Sequence, residues 1–80
     1  MKPLHLTWRS VDPATNRRRW YSLCTSRDLW GDVTVIHRWG RLGRQGREAI
    51  DWPADKAELR GIIQRVEKVR RQHGYVAMAR

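Results

Sequence analysis

From residue 4 to residue 11 the side chains alternate, with Leu4, Leu6 and Trp8 on one face and His5, Thr7 and Arg9 on the other. That period of two belongs to a half-buried strand. Asp12-Pro13-Ala14-Thr15-Asn16 then carries turn chemistry, because proline fixes φ while Asp and Asn close local hydrogen bonds. A second strand is expected over residues 17–25, opening on Arg17-Arg18-Arg19 and placing Tyr21 and Leu23 on the same side. Arg27-Asp28-Leu29-Trp30-Gly31-Asp32 makes the next connection, with Gly31 able to take a positive φ. In the third strand Val33, Val35, His37 and Trp39 line one face, and Thr34, Ile36 and Arg38 the other. After a glycine-rich loop, residues 47–52 supply a fourth strand, so the first two-thirds of the chain reads as an antiparallel meander.

The last third follows a different period. Asp55-Lys56-Ala57-Glu58 resembles a capping box, with Asp55 accepting from free amides and Glu58 reaching back, just after Pro53. Leu59, Ile62, Ile63, Val66 and Val69 recur at three- and four-residue steps, which places them on one helical stripe. Arg60, Gln64, Lys68 and Arg71 occupy the opposite side, and Gly74 is the expected stop. The stripe is expected to cover Trp8, Val33 and Val35 on the sheet. The fold class is therefore α+β: a small antiparallel sheet of about four strands, with one C-terminal helix packed on it, in a single domain over residues 1–80.

Composition changes the picture in two ways. A chain of 80 residues encloses one small core, and its five tryptophans must supply much of the buried area. Its 17 Lys+Arg against 8 Asp+Glu leave a net charge of +9, which favours a polyanionic partner. Cys24 is the single cysteine, so neither an intrachain disulfide nor a thiolate pair for zinc is expected, and a reducing compartment is favoured. The segment from Met1 to Leu6 lacks the apolar region of a signal peptide. No run approaches the roughly 18 apolar residues of a membrane span, and the helical stripe is needed for the core. The expected location is cytoplasmic, associated with the nucleoid, with no membrane partner.

The chemistry concentrates between residues 38 and 47, RWGRLGRQGR, where Arg38, Arg41, Arg44 and Arg47 alternate with Gly40, Gly43 and Gly46 at a spacing of three. Glycines let backbone amides approach phosphate oxygens, and arginine grips phosphate with two parallel hydrogen bonds. No P-loop lysine and hydroxyl pair follows the glycines, which argues against a nucleoside triphosphate. Trp39 beside these arginines offers a stacking surface for a base or sugar next to a phosphate clamp. Packing against Val35 is the other reading of Trp39, and the alternation leaves both open. Lys68, Arg70 and Arg71 form a second basic group before Tyr75, either as a nucleic-acid contact or as a solvated helix end complementing the dipole.

Trp39-Gly40-Arg41, with Arg27-Asp28-Leu29-Trp30-Gly31-Asp32 and a valine-rich strand before it and Leu42-Gly43 and Gly46 after it, resembles the WGR domain. The likeness runs from Leu4 to Gly74-Tyr75. That family occurs in DNA-dependent poly(ADP-ribose) polymerases and in small bacterial proteins. The resemblance implies a curved antiparallel sheet carrying one helix, and recognition of DNA breaks. In the polymerases the motif tryptophan packs on sugar near a strand end and nearby basic residues hold phosphates. Those roles pass by motif position to Trp39, Arg38, Arg44 and Arg47, with Gly40 of the motif a further candidate contact, and the basic helix end passes to the cluster Lys68, Arg70 and Arg71. The motif arginine joins the domain to its neighbours in some of those enzymes, so Arg41 is expected to contact either phosphate or an external partner.

Catalysis is not expected. His5, His37 and His73 are scattered, so no metal set and no nucleophile-base pair can be drawn with Cys24. Asp51, Asp55 and Glu58 surround a helix start, where capping explains them. The leading expectation is a non-catalytic module, without cofactor or metal, that binds DNA ends, nicks or gaps without sequence preference. A module docking an acidic repair or regulatory protein through the same basic surface is the alternative, and RNA binding is a third reading.

Overall fold

The computed structural model describes residues 3–78. Positions 1, 2, 79 and 80, counted in the single domain expected above, lie outside the described residues. The expected meander forms as β1 (His5–Asp12), β2 (Arg17–Arg27), β3 (Val33–Arg41) and β4 (Arg47–Asp51), each paired antiparallel with the next. A helix, α1 (Lys56–Gln72), follows, and then a fifth strand, β5 (Val76–Ala77), which pairs with β1 at Trp8 and Arg9. The result is an open antiparallel sheet in the order β4-β3-β2-β1-β5 with one helix, an α+β domain. The strand beyond the expected four is two residues long, too short for any alternation to declare it.

Local chemistry sets the connections. The Asp12 side chain accepts from the Ala14 amide at 3.1 Å, Pro13–Thr15 forms one 3-10 turn, and Asn16 takes a left-handed conformation at φ 54°. The β2–β3 ladder runs from Arg27 opposite Val33 to Arg19 opposite Arg41. Both strands thus extend by two residues beyond the hydrophobic alternation, because main-chain pairing continues after the apolar side chains end. Trp39-Gly40-Arg41 consequently lies inside a paired strand, and only residues 42–46 form the turn that follows.

The core forms where the alternating faces and the helical stripe meet. Trp8, Tyr21, Leu23 and Val35 of the sheet are buried with Leu59 and Ile62 of α1. Leu4, Leu6, Val33, Trp39, Ile63, Val66 and Tyr75 pack around them, while Val69 is only half-buried. Leu23, fully buried at the centre, contributes about 1.5–3 kcal/mol through its removal from water. Asp55 caps the helix by accepting from the Glu58 amide at 2.8 Å, whereas the Glu58 side chain makes no return hydrogen bond among the described residues. At the far end His73 closes the helix, Gly74 follows at φ +77°, and the Tyr75 amide donates to Arg70 O at 2.9 Å. That last bond folds Tyr75 back against the helix end, a position on which the site depends. Among the described residues no helix is long and apolar enough to cross a membrane.

Candidate nucleic-acid interface

Because the Trp39-Gly40-Arg41 segment is a strand, its side chains alternate across the sheet. Tyr21 stands opposite Trp39, Arg19 opposite Arg41, and Trp20 opposite Gly40. Trp39 and Arg41 therefore share the helix-bearing face with Arg19 and Tyr21. Arg38 and Gly40 belong to the other face. The turn after the strand folds back over Gly40 so closely that a Cβ there would lie 2.8 Å from the Gly46 Cα. A Cβ on Gly46 would collide with the Trp39 carbonyl and come within 2.8 Å of Trp20 Cζ2. Trp20 Nε1 donates to Arg41 O at 3.0 Å, and the Leu42 amide donates to Arg18 O at 2.9 Å. Gly40 and Gly46 thus make room for the protein's own backbone, where the sequence had suggested room for a ligand.

On the helix-bearing side an open groove of about 690 Å³ runs between the start of β2, the end of β3 and the end of α1. Arg17 and Arg19 come from β2, Trp39, Gly40 and Arg41 from β3, Arg70 and His73 from the helix end, and Tyr75 from beyond it. Four guanidinium groups share this groove, and no carboxylate lines it among the described residues. The Arg70 guanidinium lies 4.2 Å from the Tyr21 ring centroid and 5.0 Å from that of Tyr75. Such cation–π contacts contribute about 0.5–2 kcal/mol and hold the long side chain in place. The Nε atoms of Arg17 and Arg70 are buried and find no acceptor among the described residues.

Trp39 meets both readings the sequence left open. It is half-buried against the core, with its ring stacked on Tyr21 at 6.2 Å between centroids and 17° between planes, and it also lines the groove. Tyr21 is itself anchored: its hydroxyl lies 2.7 Å from His37 Nδ1, and His37 Nε2 lies 2.8 Å from Asp51 Oδ2. With the Asp51 carboxylate accepting from Nε2–H, Nδ1 is left to accept from the phenol. His37 is thus a satisfied core histidine beneath the groove floor.

Burial, opposed by the nearby Arg70 charge and reinforced by Asp51 and Tyr75, raises the Tyr21 phenol above its ordinary 10.0. The folded chain favours the neutral phenol. This share of stability is therefore whole below pH 10.0 and is lost as pH rises through the higher folded value. Tyr21→Phe is expected to flatten the alkaline loss of stability, read from urea unfolding at about pH 9 and about pH 11. An undiminished alkaline loss in that variant would assign it to other groups.

The remaining candidate residues sit elsewhere. Arg38 donates from Nε to Glu48 at 2.8 Å on the opposite face, and this hydrogen bond, with the carboxylate charge, raises the Arg38 pKa. Arg47, opposite Trp39 on the edge strand β4, borders a separate shallow depression with Trp20, Arg38 and Glu48. Arg44 is exposed in the turn, and Lys68 and Arg71 are exposed on α1 outside the groove lining. Of the nine candidates, the structure brings together Trp39, Gly40, Arg41 and Arg70. Arg17, Arg19, His73 and Tyr75 complete the groove without having been singled out for it. The signal for Arg19 was the hairpin register, which pairs it with Arg41 once Tyr21 is set opposite Trp39.

The WGR domain family matches residues 4–80 of this chain. Among curated proteins, uncharacterized protein y4dW of Sinorhizobium fredii (strain NBRC 101917 / NGR234) is 24% identical over 74 residues, covering 92% of this chain and 36% of that protein. The chain thus spans little more than a third of the relative's length. No solved structure matches it. With the match running through nearly the whole sequence and Trp39-Gly40-Arg41 seated on the arginine groove, the chain belongs to the WGR domain family, a family of nucleic-acid-binding modules.

Proposed function

We propose that this chain is a non-catalytic module that receives the sugar-phosphate backbone of DNA in its arginine groove, at a strand end, nick or gap. The observation that carries the reading is the gathering of Arg17, Arg19, Arg41 and Arg70 around half-buried Trp39, with no lining carboxylate among the described residues. Guanidinium forks match phosphate oxygens bidentately, and the indole offers an apolar wall to deoxyribose. Preference for a strand end rests on the likeness to the break-sensing polymerases and on an aromatic ring that meets sugar best where stacking is interrupted. Such a module works on the nucleoid, in the cytoplasm.

The test is an anisotropy titration of the chain against nicked, blunt-ended and closed circular DNA at two salt concentrations. If about four to six phosphates are neutralised, the logarithm of affinity is expected to fall against that of salt with a slope of roughly −3.5 to −5.5. Nicked or blunt-ended DNA is expected to bind more tightly than the closed circle. A flat salt response would remove the phosphate contacts, and preference for the closed circle would remove the strand-end reading.

A further inference from the structure

Among the described residues the two most exposed large apolar side chains stand together at the end of the domain away from the arginine groove. Leu29 and Trp30, 94% and 82% exposed, occupy the tip of the β2–β3 connection. Trp52, 59% exposed, borders a cleft of about 500 Å³ that also takes in Val33, Pro53 and Leu59 and touches the base of the same tip at Gly31 and Asp32. Arg19 marks the groove and Arg27 the start of the tip on one strand, so the two sites stand roughly 26 Å apart at strand rise.

The tip is built to hold these side chains outward. Asp28 Oδ1 accepts from the Trp30 and Asp32 amides, each at 2.9 Å. The Asp28 amide donates to Asp32 O at 2.9 Å, the Gly31 amide to Asp28 O at 3.1 Å, and Arg27 Nη1 to Gly31 O at 2.7 Å. Gly31 completes the turn at φ +80°, where a side chain is strained. A protrusion fixed in this way loses little freedom on docking, and an exposed Leu-Trp pair beside a third aromatic marks an interaction surface.

Charge selects the partner. Among the described residues Asp28, Asp32 and Asp55 stand here against Arg27 and Lys56, so their charges nearly cancel in a chain of net charge +9. A polyanion gains little at such a surface. Two copies of so basic a chain repel one another at most approaches, and this end is where repulsion is least. It also carries a protrusion beside a recess and both signs of charge, the self-complementarity that a two-fold contact requires.

We propose that this end is the interface between two copies of the chain, related by a two-fold axis, with each Leu29-Trp30 tip seated in the other copy's cleft beside Trp52. Sedimentation equilibrium without nucleic acid is expected to show a monomer–dimer equilibrium over about 1–500 μM. Leu29→Ser combined with Trp30→Ser, and separately Trp52→Ser on the recess side, are each expected to weaken the dimer at least about 100-fold. Circular dichroism, and Tm taken dilute enough that both proteins are monomeric, should stay unchanged, because these side chains lie outside the core. A chain that remains monomeric throughout the range overturns the proposal and leaves the tip to a different protein. A dimer that persists in the folded double variant overturns it as well. No DNA enters the measurement, so its failure would leave the arginine groove untouched.

Discussion

Replacing Arg19 and Arg41 together by glutamine is expected to lower the affinity for nicked duplex DNA about 100-fold at about 0.1 M salt, at about 1.5 kcal/mol for each charged contact. The slope of log affinity against log salt should flatten by about 1.8, since each neutralised phosphate contributes about 0.9. Both residues are exposed and stand opposite one another across the β2–β3 ladder, so glutamine removes charge from the groove without opening the core. Arg38→Gln is the informative comparison. Its guanidinium is committed to Glu48 on the other face, so its loss is expected to change both quantities far less. Equal losses from Arg38→Gln and from the groove pair would show that affinity follows total charge. Unchanged binding by the folded pair variant would remove the groove as the site.

The second large effect concerns Gly46. An alanine methyl there would lie 2.7 Å from the Trp39 carbonyl carbon and 2.8 Å from Trp20 Cζ2, and one of these neighbours is strand backbone that cannot swing away. Gly46→Ala is expected to destabilise the domain by about 3 kcal/mol, with Tm falling by about 12–24 °C for a chain of this size. Gly61, which lies inside α1 and where an added methyl would meet nothing within 4 Å, provides the contrast. Gly61→Ala is expected to raise stability by up to about 1 kcal/mol, because alanine restricts the unfolded chain and suits a helix. A Gly46→Ala protein melting at the wild-type temperature would show that the turn is not clamped against Trp20.

Periodicity was enough to reveal most of the architecture. Alternation at Leu4, Leu6 and Trp8, and again from Val33 to Trp39, marks strands whose buried faces meet the helix. The stripe from Leu59 to Val66 marks the face that covers them, and Asp55 marks where it begins. The groove was less legible, because its members come from three distant segments. Arg17 and Arg19 read as the basic end of a strand until the register sets Arg19 against Arg41. Tyr75 enters only because the helix end turns it back through its amide bond to Arg70 O.

Two further differences have one physical origin. The arginine at every third position suggested one basic cluster, but Gly40 and Arg41 continue β3 as a paired strand beyond Trp39. A strand sends neighbours to opposite faces, so Arg38 and Arg41 part company despite their regular spacing. The glycines of the same run serve tight backbone packing at Gly40 and Gly46. A spacing rule on its own did not distinguish close approach by a ligand from close approach by the chain itself.

Arg70 reaches its place between two phenol rings only after the last helical turn has formed and the chain has doubled back through Tyr75. A peptide carrying the Trp-Gly-Arg tripeptide in its hairpin would keep the emblem of the family while losing one wall of the receptor. On the proposed function, polyanion capture is accordingly a property of the completed fold, and anything that frays the helix terminus dismantles the proposed receptor before the core is breached.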